Sequence, residues 1–426
     1  MKTSVMIGVF FLASLFNSWL FAATVKLNVL VTAEKYDRQN AVARATVVLP
    51  EPLAKNVKSV AFVDEAGVQL FGQVTLPRLL AKPRDAMAGS VVCELVFLVP
   101  AIKAGETKKF TALILDEGTG ADKTFQWLDT PGQSTELKYF DRPVLRYMYA
   151  ALDESSKERR EETYKPYHHV FDPTGARLVT KGPGGLFPHH RGLFFGFNRI
   201  SYDDGKKQAD TWHCNKGEFE SHESFVASAA GPVLGRHQLA IDWHGHDKQV
   251  FAKEQRELTV YNTPGGTLIE FASRLSSTVG KVKLDGDPQH AGFQFRASQE
   301  LPDKTAKQTY YLRPDGQSEP GKFRNWDAKT RDPLTVNLPW NSLSFVLGEQ
   351  RYTCCYLDRP ENPKEARFSE RDYGRFGSYF EYELDDGKPL ELNYRIWLHT
   401  GEMTVSAVQS LANDFVAPVT VTVKQQ

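Results

Sequence analysis

The stretch GPGGLFPHHRGLFFGFN, residues 182–198, carries two adjacent histidines, an arginine and a run of glycines. Glycine and proline force a loop ahead of an apolar strand, so His189, His190 and Arg191 fall at a loop–strand junction. Loops held by a rigid sheet are where binding and catalytic groups concentrate. A lone histidine there would most simply cap a carbonyl, whereas His-His-Arg between glycines points to a site. A second segment, ADTWHCNKGEFESHESF (209–225), offers Asp210, Trp212, His213, Glu218, His222 and Glu223. In a strand, Glu220 and His222 share one face and Ser221 and Glu223 the other. A solvated polar hairpin would carry the same residues. The third, DGDPQHAGFQFR (285–296), sets His290, Gly292, Gln294 and Arg296 on one strand face, as a polar outer face also would. Weaker signals are Asn325 beside Trp326, the pair His168–His169 in YKPYHH, and the charged run 358–379 with Arg359, Asn362, Arg367, Arg371 and Tyr373. Long ordered loops in compact domains are usually functional.

These residue types fit acid–base chemistry on a polar substrate. An ordinary histidine titrates near working pH, so His190 and His213 are the expected acid and base. Glu223 is the expected partner carboxylate, with Glu218 as the other candidate. His189, Arg191, Trp212, His222, His290, Asn325, Arg371 and Tyr373 are expected to bind substrate. Trp212 can stack on a sugar face, and guanidinium forks grip hydroxyls or a carboxylate. His189, His190, His213, Glu218, His222 and His290 could supply metal ligands if their strands meet. No HExxH or CxxC spacing occurs, so no cofactor is required, although a divalent metal is compatible. The absence of a glycine-rich phosphate loop and of GxSxG disfavours nucleotide and hydrolase-elbow chemistry.

The elements that must position these residues read as strands. Residues 25–32, 45–49, 59–63, 68–76, 91–99 and 110–116 are short apolar runs with Gly, Pro and Asn/Asp between them. Six such runs in about a hundred residues predict an immunoglobulin-like β-sandwich over 23–120. A Gly/Thr/Asp-rich linker covers 117–123. Every histidine lies beyond it, together with longer strands at 144–150, 192–200, 249–262, 267–276, 292–297, 341–357, 378–384 and 391–399. Residues 135–426 therefore read as one large β-sandwich or barrel. Helical pattern is confined to the charged run 154–162, a solvated loop or short surface helix, and to 406–415.

Residues 1–22 read as a signal peptide: Lys2, an apolar run, then Ala22 and Ala23, with a mature start near Ala23 or Thr24. A secreted or periplasmic location follows. Basic and acidic residues balance at 52 each, which gives no reason to expect nucleic acid as a partner. No later segment is apolar enough to span a bilayer. Four cysteines are too few for a disulfide scaffold. Cys93, Cys354 and Cys355 read as packing residues, and Cys214 beside His213 is the one to check for a role.

The combination of FPHHRGLFFGFN, TWHC with SHESF, LDRPENPKEARFSERDYGRFGSYF and LNYRIWLHTGE resembles the PmoA-like family of exported proteins, from about Leu137 onward. A late His-Pro-x-Asn-Pro stretch of that family reads Asp358-Arg359-Pro360-Glu361-Asn362-Pro363 here, with Arg359 in place of the histidine. The resemblance implies a galactose-mutarotase-like β-supersandwich, a fold shared by epimerases, lyases and glycoside hydrolases, and fold does not fix function. The family's "methane oxygenase" label does not transfer, because such an oxygenase subunit is membrane-embedded. The expected function is an exported carbohydrate-active enzyme, a glycoside hydrolase or lyase using His/Glu acid–base chemistry. The alternatives are a glycan-binding protein without turnover and a metal-dependent oxidase or oxygenase.

Overall fold

The computed structural model describes residues 25–116 and 124–425. The signal-peptide segment and the 117–123 linker lie outside the described residues. The chain is all-β, as its patterning predicts, in two bodies. The first is one antiparallel sheet built from Val25–Thr32, Arg38–Pro50, Ser59–Asp64, Gln69–Thr75, Ser90–Ile102 and Thr107–Leu115. Its alternate residues turn inward onto a core of Val29, Val31, Phe62, Phe97, Phe110 and Ile114. The Phe62 and Phe97 rings stack at 3.7 Å.

A seventh strand corrects the boundary at 426. After the helix Val405–Val416, the strand Thr420–Gln425 leaves the large body and pairs with Val25–Thr32, setting Val29 opposite Val423. The alternating TVTVKQ covers an edge that would otherwise present unpaired backbone groups.

The second body is a supersandwich. One sheet of eight strands includes, side by side, Arg367–Glu370, Arg375–Tyr379, Ala291–Arg296, Leu193–Phe197 and Tyr167–Val170. The other, of nine, is centred on Val250–Tyr261, Thr267–Ser277 and Leu390–Thr400. The inner faces meet through rings such as Phe271 on one sheet and Phe293 on the other, 4.1 Å apart. A four-stranded sheet of Lys207–Ala209, Arg199–Tyr202, Val282–Asp285 and Tyr382–Leu384 flanks them.

Several element boundaries differ from the sequence reading. The run 341–357 is a hairpin, Trp340–Leu347 and Gln350–Asp358, turned at Gly348 with φ +60°. The supposed loop 358–379 contains the hairpin Arg367–Glu370 and Arg375–Tyr379, with Tyr373 in its turn. Phe219–Ala230 and Leu234–His244 form a long hairpin that polar composition concealed. The charged run at 154–162 contains the helix Lys157–Thr163, whose first turn is capped by Ser156 accepting from Arg159 N.

Buried polar contacts join the bodies. Arg236 Nη2 lies 2.9 Å from Glu94 Oε2, and Arg44 Nη2 lies 2.5 Å from Glu270 Oε2. Gln73 Oε1 accepts from Val233 N and Leu234 N. Among the described residues no helix is long and apolar enough to cross a membrane.

Candidate functional site

In the eight-stranded sheet, Phe195, Phe293 and Phe376 point to the core. By strand alternation, Phe194, Gln294, Arg296 and Arg375 take the opposite face. The loop before Leu193–Phe197 turns back over that face, bringing the His190 ring within 6.4 Å of Phe194. Gly192 makes the turn possible. Its φ is +50°, and a Cβ there would lie 2.1 Å from the His168 carbonyl oxygen.

Four histidines meet above this face. The His189 ring centre lies 4.3 Å from that of His190, 4.5 Å from His213 and 5.6 Å from His290. His213 and His290 are 4.7 Å apart. One nitrogen each of His189, His190 and His290 lies within 4.8 Å of the other two, so this trio could hold a metal ion. His189 Nε2 and both ring nitrogens of His190 are buried without a hydrogen-bond partner. Burial, together with the neighbouring histidines and cations, pushes the His189 pKa down to about 2 and holds His190 well below the usual histidine range. Both rings are therefore neutral.

Two histidines are aimed by aspartates placed three residues before them. Asp210 Oδ1 accepts from Trp212 N and His213 N, and its Oδ2 lies 2.8 Å from His213 Nδ1. Asp287 Oδ1 accepts from Gln289 N and lies 2.9 Å from His290 Nδ1, while its Oδ2 accepts from Asn198 Nδ2. Burial raises the Asp287 carboxyl, but His290, Gln289 N and Asn198 outweigh it and hold the group ionised. An ionised carboxylate at Nδ1 selects the Nδ1–H tautomer, leaving Nε2 as the free nitrogen. This doubled Asp-x-x-His is the signal that the sequence reading passed over.

The floor of the site is cationic. Arg296 and Arg375 are directly opposite one another on adjacent strands, and both are fully buried. Arg296 donates to the carbonyls of Ala297 and Tyr373, and Arg375 to Pro288 O, Gln294 Oε1 and Ser369 Oγ. Among the described residues neither pairs with a carboxylate; Arg296 Nε and Nη2 and Arg375 Nε make no hydrogen bond, and the Arg296 guanidinium lies 4.9 Å from the Tyr373 ring centre. Burial lowers the Arg296 pKa to about 10 and the Lys165 pKa to about 8. The rim is aromatic. The Tyr373 ring lies 6.0 Å from His190 at 12° to it and 5.0 Å from Phe187, which is 39% exposed.

The other expected site residues fall differently. Glu223 is exposed on the edge strand Phe219–Ala230, where it accepts from Ser221 Oγ, and it does not partner His213. Glu218 staples its own loop, accepting from Asp210 N and Lys216 N and lying 2.6 Å from His246 Nε2. His222 points away, its Nδ1 3.2 Å from Tyr147 OH. Trp212 is fully buried against Phe194 at 4.4 Å, so it supports the site from behind and cannot stack on substrate. Arg191 is fully buried beneath Tyr164, 4.4 Å from the ring centre, and its Nη2 donates to Pro188 O, so it holds the histidine loop from behind and does not reach substrate. Asn325 accepts from Ser369 Oγ and Glu370 N, a structural bridge. Arg371 flanks the rim over Phe323 at 5.6 Å. His168 and His169 are interior residues. All four cysteines are free and buried, and burial raises the Cys214 thiol far above its ordinary range, so it is inert.

Fold and site thus define an all-β protein with a histidine cluster, aspartate-aimed and set over two buried arginines, on the outer face of one sheet of a supersandwich. The chain belongs to the Family of unknown function (DUF6807), which matches residues 134–413 and so covers every residue of the pocket. No curated protein matches the chain. Two solved structures are similar to it. An alpha-mannosidase from Enterococcus faecalis V583 has TM-score 0.42 and 10% identity over 95% of this chain and 46% of that one. A protein in the glycosyl hydrolase family 38 from Enterococcus faecalis has TM-score 0.43 and 9% identity over 94% and 47%. The chain spans less than half the length of either.

Proposed function

We propose that the protein is an exported carbohydrate-active enzyme, a glycoside hydrolase or lyase, that cleaves a sugar bearing an acidic group in the four-histidine pocket. The observation that carries this reading is the Asp210–His213 dyad inside the four-histidine cluster, above the sheet face that carries Arg296 and Arg375. Like charges placed directly opposite on neighbouring strands repel, and an unpaired buried charge is costly. An anionic ligand relieves both costs, as a preorganised cationic site requires. Phe187 and Tyr373 offer ring faces to a pyranose.

His213 Nε2 then takes a proton, from water in hydrolysis or from a ring carbon in elimination. The imidazolium formed is stabilised by Asp210, and the proton is returned to the departing glycosidic oxygen. Hydrolysis leaves water's hydroxyl on the sugar; elimination leaves a carbon–carbon double bond. Wild-type protein incubated with acidic and neutral glycans tests the reading. Release from acidic glycans, lost in His213→Ala, supports it, and ultraviolet absorbance of an unsaturated product separates elimination from hydrolysis. Equal release from neutral glycans would remove the acidic-substrate part.

A further inference from the structure

We propose that His189, His190 and His290 bind a divalent transition-metal ion of the zinc class, beside the His213–Asp210 dyad rather than through it. Three imidazole nitrogens from two separated segments converge within 4.8 Å of one another. The zinc–imidazole bond is ~2.0–2.1 Å, and imidazole suits Zn, Cu, Ni and Fe rather than Mg or Ca.

The hydrogen-bond accounts of these rings point the same way. Buried polar atoms are nearly always partnered. Yet His190, 1% exposed, has neither nitrogen bonded, and His189 Nε2 is likewise orphaned. His290 carries the outer arrangement that metal-bound histidines use: Nδ1–H to Asp287, itself held by Asn198 and Gln289 N. Three histidine ligands leave a coordination position open for water or substrate.

Charge balance sets a condition on the ion: Arg296, Arg375 and Lys165 place positive charge around His189 and His190, so an anionic ligand must accompany it. Asp210 and Asp287 bring two negative charges behind His213 and His290. The arginines of the floor face an anionic substrate, which an ion at the trio would help to hold. This site goes beyond the proposed function, and its primary readout is metal uptake without glycan.

The test is metal uptake by the intact chain, stripped with chelator and titrated with Zn²⁺ alone, with Co²⁺ as a spectroscopic probe. The expected result is one ion per chain and a visible Co²⁺ band of low-symmetry coordination. His290→Ala abolishes uptake with the β-sheet circular dichroism unchanged. Asp287→Asn weakens it about 10–100-fold, and His213→Ala retains it. Absence of stoichiometric uptake, or uptake unaffected by His290→Ala, overturns the proposal. So does loss in His213→Ala equal to that in His290→Ala. A chain that releases glycan product yet takes up no metal would reject the metal site alone and leave the proposed function standing.

Discussion

Nε2 of His168 lies 2.9 Å from Nε2 of His237, and both rings are buried between the two sheets of the large body. One nitrogen donates and the other accepts, so at least one ring must stay neutral, and burial keeps both uncharged. Burial, then the neighbouring His222 and Arg256, lowers the His237 pKa to about 3, and burial with His237 and Arg256 lowers that of His168.

The sign of the pH dependence follows. Folded pKa values below the unfolded ~6.5 mean that the unfolded chain binds more protons below that pH. Stability from this pair is present above pH ~6.5 and declines as pH falls, by at most about 1.4 kcal/mol per pH unit for each ring. Urea midpoints at pH 7 and pH 5 should therefore differ less in His237→Gln than in wild type. Equal differences would contradict the neutral pair.

The ion pair between Glu94 and Arg236 crosses from the small body to the large one, with Arg78 also on Glu94. All but the Arg78 end is buried. Removing Glu94 leaves Arg236 with the Glu257 carboxylate alone, 3.6 Å away, so Glu94→Gln should cost about 1.5–3 kcal/mol, the size of a charged hydrogen bond. A lowered urea midpoint would show it. A change below about 0.5 kcal/mol, the size expected of a surface substitution, would mean that the bodies do not rely on this pair.

Gly292 has φ +82°, and a Cβ there would stand 2.1 Å from the Ser378 carbonyl oxygen. It is the second residue of the strand Ala291–Arg296, two residues after His290. Gly292→Ala should destabilise the chain by about 1–3 kcal/mol and displace His290. Thermal unfolding reads the first effect and metal titration the second. Wild-type behaviour in both would contradict the steric account.

Export predicts a mature N-terminus near Ala23, and N-terminal sequencing of material from the culture medium or periplasm reads it. Retained Met1 in exported protein would defeat it.

Much of the fold was legible because strand patterning is local. Val25–Thr32 and the helix Val405–Val416 declare themselves through alternation and helical spacing. The segments around His190, His213 and His290 were legible as loop–strand junctions, and these are the histidines that converge. What failed depended on distant partners. Glu223 lies on an edge strand, and only its pairing with Leu234–His244 shows that it faces solvent. Trp212 looked like a stacking platform until Phe194 and His190 closed over it. The last strand's partner is the first strand of the chain, a pairing that no local pattern announces. The two Asp-x-x-His units were in plain view, but an aspartate is chosen as a histidine's partner by turn geometry, which spacing alone does not reveal.

The central claim is that His213, aimed by Asp210, moves the proton. The direct measurement is kcat for release from an acidic glycan by wild type, His213→Ala, Asp210→Asn and Glu223→Ala, each checked for native circular dichroism. The account predicts a loss of about 10²–10⁴-fold in His213→Ala, a substantial loss in Asp210→Asn, and wild-type turnover in Glu223→Ala, whose side chain lies in solvent. Full turnover by His213→Ala, or a collapse in Glu223→Ala with His213→Ala unaffected, would contradict it.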